Sequence, residues 1–258
     1  MDNYVIEPGL FTNNVKVLIY GDPGVGKTAL AGTAQDSEIM KNVHVFNIDG
    51  GMLTLASRRD IKATDVRSVE QLEAELYKIT SKDKKYKDVR TVVIDNITEL
   101  QTINLEAIVG GKLATNATRA KTSTIDEIFQ EDYGKSTKQL ARVLRGFRDL
   151  PINVIYIAHK KDKKRKNSDT IEESKPLLTE KLCTAITGYM DFVWYLYTSD
   201  TPVIVDNVQI METHRYLLTQ PYNGFVCKTR GSNFAAALGV VVQDPNFADI
   251  MKIYIGSQ

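Results

Sequence analysis

The stretch that decides the fold is Tyr20 to Leu30, which reads Y-G-D-P-G-V-G-K-T-A-L. Its first and last glycines, followed by Lys27 and Thr28, fit the spacing G-x-x-x-x-G-K-[ST] of a phosphate-binding P-loop. The residues before it, Asn14 to Tyr20, are apolar and β-branched and predict a buried strand, and the residues after it suit a helix. The motif therefore stands between a strand and a helix, which is the context it requires.

Each residue type in this stretch serves the binding of a phosphate. The glycines let the backbone bend tightly and turn its N–H groups toward an anion without a Cβ in the way, and the following helix adds its positive end. Lys27 supplies charge for the β- and γ-phosphates, and Thr28 offers a hydroxyl to Mg²⁺. The alternative is a glycine-rich turn with an ordinary surface lysine. We expect ATP and Mg²⁺ at Gly21, Asp22, Pro23, Gly24, Val25, Gly26, Lys27, Thr28 and Ala29.

Composition describes an ordinary globular chain. Of 258 residues, 43% are hydrophobic and 25% are charged, which is enough apolar material for a sizeable core. The net charge of +1 gives no global field that would attract a nucleic acid or a membrane, so any such site must be local. No long uncharged apolar stretch and no signal-peptide pattern is present. We expect a cytoplasmic protein that does not interact with membranes.

The order of elements predicts an α/β fold. Strands alternate with helices through the first two-thirds of the chain, which indicates a mostly parallel central sheet with helices on both faces. The last third is richer in consecutive strands, including a hairpin around Asp206-Asn207, and predicts antiparallel strands at the C-terminal edge. We interpret residues 1–258 as a single domain with residues 1–12 as a lead-in.

Three polar residues fall at the ends of predicted strands. Asp49 follows Asn42 to Ile48, Asp95 follows the run T-V-V-I, and His159 follows Asn153 to Ala158. Ligands of such sheets bind beyond the carboxyl ends of the strands, so these residues and the P-loop are expected to share one site. Asp95 would hold Mg²⁺ beside Thr28, as a Walker B aspartate does, although aspartate also ends many strands with no such role.

Taken in order, the segments Y-G-D-P-G-V-G-K-T, N-I-D-G-G, V-V-I-D-N-I-T-E-L, I-Y-I-A-H-K-K-D and V-C-K-T-R-G-S resemble a known family. They look like the RecA-like P-loop ATPases of bacteriophages, often labelled phage nucleotide-binding proteins, some of which act in single-strand annealing and recombination. The resemblance covers roughly residues 13–250. It implies a RecA-like ATPase fold in which ATP hydrolysis depends on Mg²⁺.

The resemblance also implies roles for individual residues. Asp49 would orient the attacking water where the family more often has glutamate, so slow turnover or another base remains open. His159 would sense the γ-phosphate, the alternative being a strand-end histidine that is merely hydrogen-bonded. Lys228 and Arg230 match a Lys-x-Arg pair that reaches the phosphates of a neighbouring subunit in rings and filaments, the alternative being surface charge. These roles imply a homo-oligomer.

The densest basic run of the chain, residues 160–166, follows the predicted strand from Asn153 to Ala158. In the resembled recombinases this segment is a DNA-binding loop, so we expect residues 159–175 to be a basic mobile loop that binds single-stranded DNA. The run contains no aromatic residue for base stacking, and a solvated loop is the alternative. Six of its seven residues are basic: Lys160, Lys161, Lys163, Lys164, Arg165 and Lys166.

The leading functional hypothesis is an ATPase coupled to single-stranded DNA binding or annealing in phage recombination or replication. A second is an ATP-dependent switch that recruits single-strand-binding or recombination proteins with negligible turnover. A small-molecule kinase would need an arginine-bearing lid, which is not evident. An AAA-type unloader would need a helical lid domain, whereas this tail looks rich in strands.

Overall fold

The structure is a computed structural model that describes residues 14–115, 128–166, 168–205 and 208–257. The expected lead-in at residues 1–12 and the expected turn at Asp206-Asn207 lie outside the described residues. Across the described residues, the strands form one mixed sheet and the longer helices cover it.

Ten strands of the described chain form the sheet, in the order β10-β8-β7-β1-β5-β4-β2-β3, with β6 paired to β5 and β9 paired to β7. The run from β7 through β3 is parallel, and β8, β9, β10 and β6 pair antiparallel. The predicted α/β class, with a parallel centre and antiparallel strands at the C-terminal edge, is confirmed. The strands are β1 (Lys16–Gly21), β2 (Val43–Asn47), β3 (Lys62–Asp65), β4 (Thr91–Asp95), β5 (Asn153–Lys164), β6 (Ile171–Pro176), β7 (Phe192–Val205), β8 (Val208–Leu218), β9 (Lys228–Thr229) and β10 (Val241–Gln243).

Helices occupy both faces because each central strand is apolar on both sides. In β1, Leu18 and Tyr20 pack into one core cluster, whereas Val17 and Ile19 pack into the other. The first cluster is closed by α2, α3, α4 and α5, and the second by α1, α6 and α7. A parallel strand buried on both faces reads as a continuous hydrophobic run, as β1 does. The helices are α1 (Lys27–Gly32), α2 (Val69–Thr80), α3 (Ile97–Thr115), α4 (Gln130–Arg148), α5 (Glu180–Tyr189), α6 (Ser232–Leu238) and α7 (Phe247–Gly256).

Strand β5 corrects the expected mobile loop at residues 159–175. The strand does not stop at Ala158 but continues to Lys164 and turns back into β6, with Lys160 opposite Pro176 and Lys163 opposite Glu173. Ion pairs between Lys163 and Glu172 and between Lys164 and Asp169 offset part of its positive charge, and backbone hydrogen bonds to β6 order the segment, with a β-bulge between Lys163 and Lys164. The basic run is therefore mainly one arm of a β-hairpin.

Two other boundaries also differ from expectation. The segment from Gly110 to Gly134 lacks clear periodicity in the sequence and predicts an irregular excursion, but α3 runs on to Thr115 and α4 already begins at Gln130. Residues 116–127 lie outside the described residues. The residues from Gly224 to Lys228 predict a short strand, whereas β9 comprises Lys228 and Thr229 alone. Glycine and threonine blurred the first boundary because both lower helix propensity, yet packing between α3 and α4 overrides that preference.

His44 makes the stability of this fold sensitive to pH. It lies in β2, is 1% exposed, and has its Nε2 2.9 Å from the Thr64 hydroxyl. Burial, with a smaller contribution from Lys85, lowers the pKa of His44 from 6.5 to about 4. Below pH 6.5 the unfolded chain binds a proton that the folded chain does not, so stability falls as the pH falls toward 4.

We predict that this residue alone costs about 2 kcal/mol of unfolding free energy on going from pH 7 to pH 5. In His44→Gln the titrating group is absent. The difference in unfolding free energy between the unchanged chain and this variant should therefore shrink by about 2 kcal/mol between the two pH values. Urea denaturation at pH 7 and pH 5 measures it, and an equal difference at both would contradict the prediction.

Candidate functional site

The P-loop between β1 and α1 has the backbone that its sequence requires. Gly24 and Gly26 have φ angles of 80° and 97°, in the left-handed region that residues with a Cβ rarely adopt. Gly21 has a different reason to be glycine, since a Cβ there would lie 2.3 Å from the carbonyl oxygen of Leu196 on β7. The start of the loop thus packs closely against β7, and the backbone turns sharply at the two left-handed glycines.

Lys27 is buried within the loop rather than extended into solvent. It is 6% exposed, and its Nζ donates to the carbonyl oxygens of Gly21, at 3.0 Å, and Asp22, at 2.7 Å. Burial lowers the pKa of Lys27, and the nearby carboxylates of Asp95, Asp22 and Asp49 oppose that shift. The structure therefore concentrates a positive charge inside the loop with only backbone carbonyls as partners.

Thr28 and Asp95 converge although they are 67 residues apart. The Thr28 hydroxyl donates to Oδ2 of Asp95 at 2.6 Å. Asp95 ends β4 and is 3% exposed. Burial raises its pKa to about 6, while the hydrogen bond from Thr28 and the charge of Lys27 act against this rise. A hydroxyl and a carboxylate side by side are the hard oxygen ligands that Mg²⁺ prefers.

Asp49 and His159 are joined to this site by Asn96, which directly follows Asp95. The Asn96 Nδ2 donates to Oδ2 of Asp49 at 2.7 Å and lies 3.3 Å from Nε2 of His159. The Asn96 Oδ1 accepts from the backbone N–H of Glu99 at 2.7 Å and so caps α3. One buried amide therefore fixes the predicted water-orienting residue and the predicted sensor relative to β4.

His159 lies in register with Gly21, because β5 is the neighbour of β1 in the sheet. Its backbone N–H donates to the Thr98 hydroxyl at 3.0 Å, whereas its buried Nδ1 has no partner among the described residues. Burial and the charge of Lys27 lower its pKa below the ordinary 6.5. The ring is therefore held mainly neutral at pH 7, close to the P-loop lysine.

Lys228 and Arg230 are not brought to this site. Thr229, which stands between them, pairs with Phe192 at the start of β7, and Phe192 is level with Val17 near the start of β1. Both cations therefore lie at the amino-terminal end of the parallel strands, whereas the P-loop follows the carboxyl end of β1. Lys228 donates to the carbonyl oxygen of Thr187, and Arg230 pairs with Asp191 at 3.1 Å. Within one chain, these cations cap the carboxyl end of α5, since Lys228 and Arg230 donate to carbonyl oxygens of its last turn.

The six basic residues expected to bind DNA fall into three groups. Lys160 pairs with Asp22 of the P-loop at 3.0 Å and with Asp162 at 2.9 Å, so it belongs to the base of the hairpin. Lys163 and Lys164 pair with Glu172 and Asp169. The remaining three have no carboxylate within 4.0 Å in the part of the chain that the structure describes; they are Lys161, Arg165 and Lys166.

The site fits a magnesium nucleotide by the chemistry of its donors. Gly24 and Gly26 have the left-handed backbone that lets successive N–H groups form an anion-binding concavity, and Thr28 with Asp95 supplies oxygen ligands. Among the described residues, no group of three His, Cys, Asp or Glu could hold a metal ion by itself. A cation here would therefore share its ligands with the bound phosphates.

Two residues of the site were missed from the sequence. The sequence from Asn96 to Ile108 predicts a helix and assigns Asn96 no role in the site, although asparagine is among the residues preferred at a helix N-cap. Arg215 on β8 places its Nε 3.2 Å from the carbonyl oxygen of Val25 in the P-loop, 190 residues away. Nothing in the local pattern around Arg215 indicates this contact.

A comparison with protein-family models identifies the family of this chain. Residues 13–231, well over half of the chain, match the profile of the AAA domain family. The chain belongs to the AAA domain family. This AAA domain has the P-loop, the parallel sheet and the strand-end aspartate that ATP binding in such a domain requires. A comparison with curated proteins finds no match.

The family match is to the AAA type, whereas the sequence alone favours a RecA-like phage ATPase because its tail looks rich in strands. The described tail does contain β8, β9 and β10 along with α6 and α7. The match ends at residue 231, before α6. None of the described helices has both the length and the apolar character needed to cross a membrane.

We predict that Asn96→Ala lowers the unfolding free energy by about 2 kcal/mol, because it removes a helix cap and leaves buried polar groups unpaired. We also expect ATP turnover to fall, since Asp49 and His159 lose their common partner. Urea denaturation and steady-state hydrolysis measure the two effects.

The matched control is Asn246→Ala. Asn246 caps α7 in the same way, accepting from the backbone N–H of Asp249 at 2.9 Å, but that hydrogen bond is exposed to solvent. It should cost about 1 kcal/mol and leave turnover unchanged. Equal effects of the two variants on turnover would show that Asn96 is only a cap.

Proposed function

We propose that this AAA domain binds and hydrolyses ATP with Mg²⁺ and couples the reaction to single-stranded DNA binding or annealing, in phage recombination or replication. The observation that carries the ATPase part is the 2.6 Å hydrogen bond between the Thr28 hydroxyl and Asp95. It brings the P-loop and the end of β4 together where a magnesium nucleotide would be held.

The residues of the chain would divide the work of phosphoryl transfer. The P-loop N–H groups and Lys27 would bind the phosphates and offset the charge that develops on them. Thr28 and Asp95 would hold Mg²⁺, which supplies further charge stabilisation on the phosphate oxygens. Asp49, fixed by Asn96 at 2.7 Å, would orient the attacking water and accept its proton. His159, held mainly neutral, would hydrogen-bond to the γ-phosphate.

The proposed coupling to DNA is supported by the hairpin of β5 and β6. Its base touches the nucleotide site, because His159 approaches Asn96 and Lys160 pairs with Asp22. Farther along it are the basic residues that lack a carboxylate partner in the described chain: Lys161, Arg165 and Lys166. Strand β5 thus runs from the phosphate-binding end of the sheet toward these three cations, which would neutralise DNA phosphates.

Assembly into a ring or filament is part of the proposal. Lys228 and Arg230 lie at the edge of the sheet opposite the P-loop, so they could approach a bound phosphate only in a neighbouring subunit. There they would stabilise the transferring phosphoryl group in trans. To do so they would exchange their bonds to the end of α5 for the phosphate.

A second candidate function is an ATP-dependent switch with negligible turnover, which would recruit single-strand-binding or recombination proteins. The observation in its favour is that both carboxylate oxygens of Asp49 already accept hydrogen bonds. Oδ1 accepts from the Gly51 N–H at 3.0 Å, and Oδ2 accepts from the Asn96 side chain at 2.7 Å. A short carboxylate with both oxygens already engaged has less capacity to take a proton from water.

We predict that Lys27→Ala lowers ATP affinity at least 10-fold and abolishes hydrolysis, because it removes the buried charge of the P-loop. Isothermal titration and phosphate release measure the two effects. Lys252→Ala is the control: Lys252 is exposed, pairs with Asp249, and should leave both quantities unchanged. ATP turnover equal in both variants would remove the ATPase proposal. Binding without turnover in the unchanged chain, with or without single-stranded DNA, would favour the switch.

We predict that replacing Lys161, Arg165 and Lys166 by glutamine weakens single-stranded DNA binding about 10-fold and flattens its dependence on salt by roughly two units of slope, because about three phosphate contacts are lost. Fluorescence anisotropy at two salt concentrations measures both.

The control for this triple variant removes the same number of charges from another lysine-rich turn, with Lys82, Lys84 and Lys87 replaced by glutamine. If the two triple variants bound DNA equally, the hairpin would not be the DNA site and the observed binding would reflect net charge alone.

A further inference from the structure

An arginine from the far end of the chain lies against the P-loop. Arg215, on β8, is paired with Thr198 of β7, and its Nε donates to the carbonyl oxygen of Val25 at 3.2 Å. A Cβ built on Gly26 would lie 2.5 Å from this Nε and 3.4 Å from Cζ. The guanidinium therefore packs directly on the backbone of the phosphate-binding loop.

The backbone of Arg215 is fixed, while its charge is left without an acidic partner. Asp244 Oδ1 accepts from the Arg215 N–H at 3.0 Å, and the Asp244 N–H donates to the Arg215 carbonyl oxygen at 2.7 Å. Oδ2 of Asp244 bonds instead to His214, at 2.7 Å. Nowhere in residues 14–115, 128–166, 168–205 and 208–257 does a carboxylate come within 4.0 Å of the Arg215 guanidinium.

A guanidinium in this state retains capacity for a ligand. Of its five N–H donors, the one on Nε is used by Val25, and the four on the two terminal nitrogens form the planar fork that matches phosphate oxygens. Arg215 is also exposed, so a ligand in the loop could reach it. An unpaired arginine fork beside a P-loop is a phosphate-binding arrangement.

The order of strands decides which part of a nucleotide Arg215 faces. Asp95 is the last residue of β4 and His159 lies in β5, and both strands are on one side of β1 in the sheet. Strands β7 and β8 lie on the other side of β1. Thr28 bonds to Asp95 and so marks the first side as that of the metal and the γ-phosphate. Arg215 lies on the opposite flank of the P-loop, where the phosphates nearer the nucleoside would be if the γ-phosphate is beside the metal ligands.

We propose that Arg215 is a nucleotide-binding residue that grips the α- and β-phosphates from within the same chain and contributes equally to the affinity for ADP and ATP. The inference rests on the proposed ATP-binding function and names a part of that site. It also gives Gly26 a second reason to be glycine, since any side chain there would displace the arginine. Lys27 and Arg215 would then hold the diphosphate from two sides.

The test is isothermal titration of Mg-ADP and Mg-ATP with Arg215→Gln at fixed salt. Loss of a charge-assisted hydrogen bond predicts a roughly 10-fold weaker affinity for both nucleotides. The KM for ATP should rise along with the dissociation constant, and the loss should be equal for the two nucleotides, whereas a contact to the γ-phosphate would weaken ATP binding alone. Arg215→Lys keeps the charge but not the fork and should recover only part of the affinity.

The matched control is Arg142→Gln. Arg142 is an exposed arginine on α4 that pairs with Glu73 at 2.8 Å, and its loss should leave both affinities unchanged. Unaltered affinities in Arg215→Gln would overturn the inference, as would a fall in hydrolysis rate with ADP affinity intact, since that would place Arg215 at the γ-phosphate. If the unchanged chain bound neither nucleotide, the proposed function itself would fail instead.

Discussion

The hydrogen bond between the Thr28 hydroxyl and Asp95 is the constraint on which the rest of the site depends. It joins residues that belong to different strand–helix units and that are separated in the sheet by β5. Any change in the order or register of β1, β5 and β4 would move these groups apart. The buried apolar runs of the three strands thus have a chemical consequence, because they set the position of two oxygen atoms.

The same constraint explains why charged groups can be buried here. Burial shifts the pKa values of Lys27, Asp95 and His159 toward their neutral forms. The charges of Lys27 and Asp95 oppose each other's shifts, whereas the charge of Lys27 adds to the lowering of the His159 pKa. Such a cluster is costly in an ordinary core, since a buried charge loses its hydration. Perturbed titratable groups that converge at one end of a parallel sheet are typical of a functional site.

The two flanks of the P-loop differ in character. On the side of β5 and β4 lie the carboxylates, the histidine and the base of the basic hairpin, with Lys160 bonded to Asp22. On the side of β7 and β8 lies Arg215, bonded to the Val25 carbonyl. Under the proposed function, loss of the γ-phosphate would first affect the hairpin of β5 and β6. The contact of Arg215 with the P-loop would stay the same, because it does not involve the γ-phosphate.

The sequence by itself determined the P-loop, the parallel α/β sheet and the convergence of Asp49, Asp95 and His159, because each depends on local spacing or on apolar strands that have few ways to pack. The hairpin of β5 and β6 could not be predicted in this way, since a run of lysines is typical of a solvated loop and its pairing with β6 leaves no signal in the local pattern. Only the tertiary structure placed Asn96 between Asp49 and His159, Arg215 on the P-loop, and Lys228 with Arg230 at the opposite edge. Those placements depend on strand order and on contacts between residues far apart in the chain, which no local pattern records.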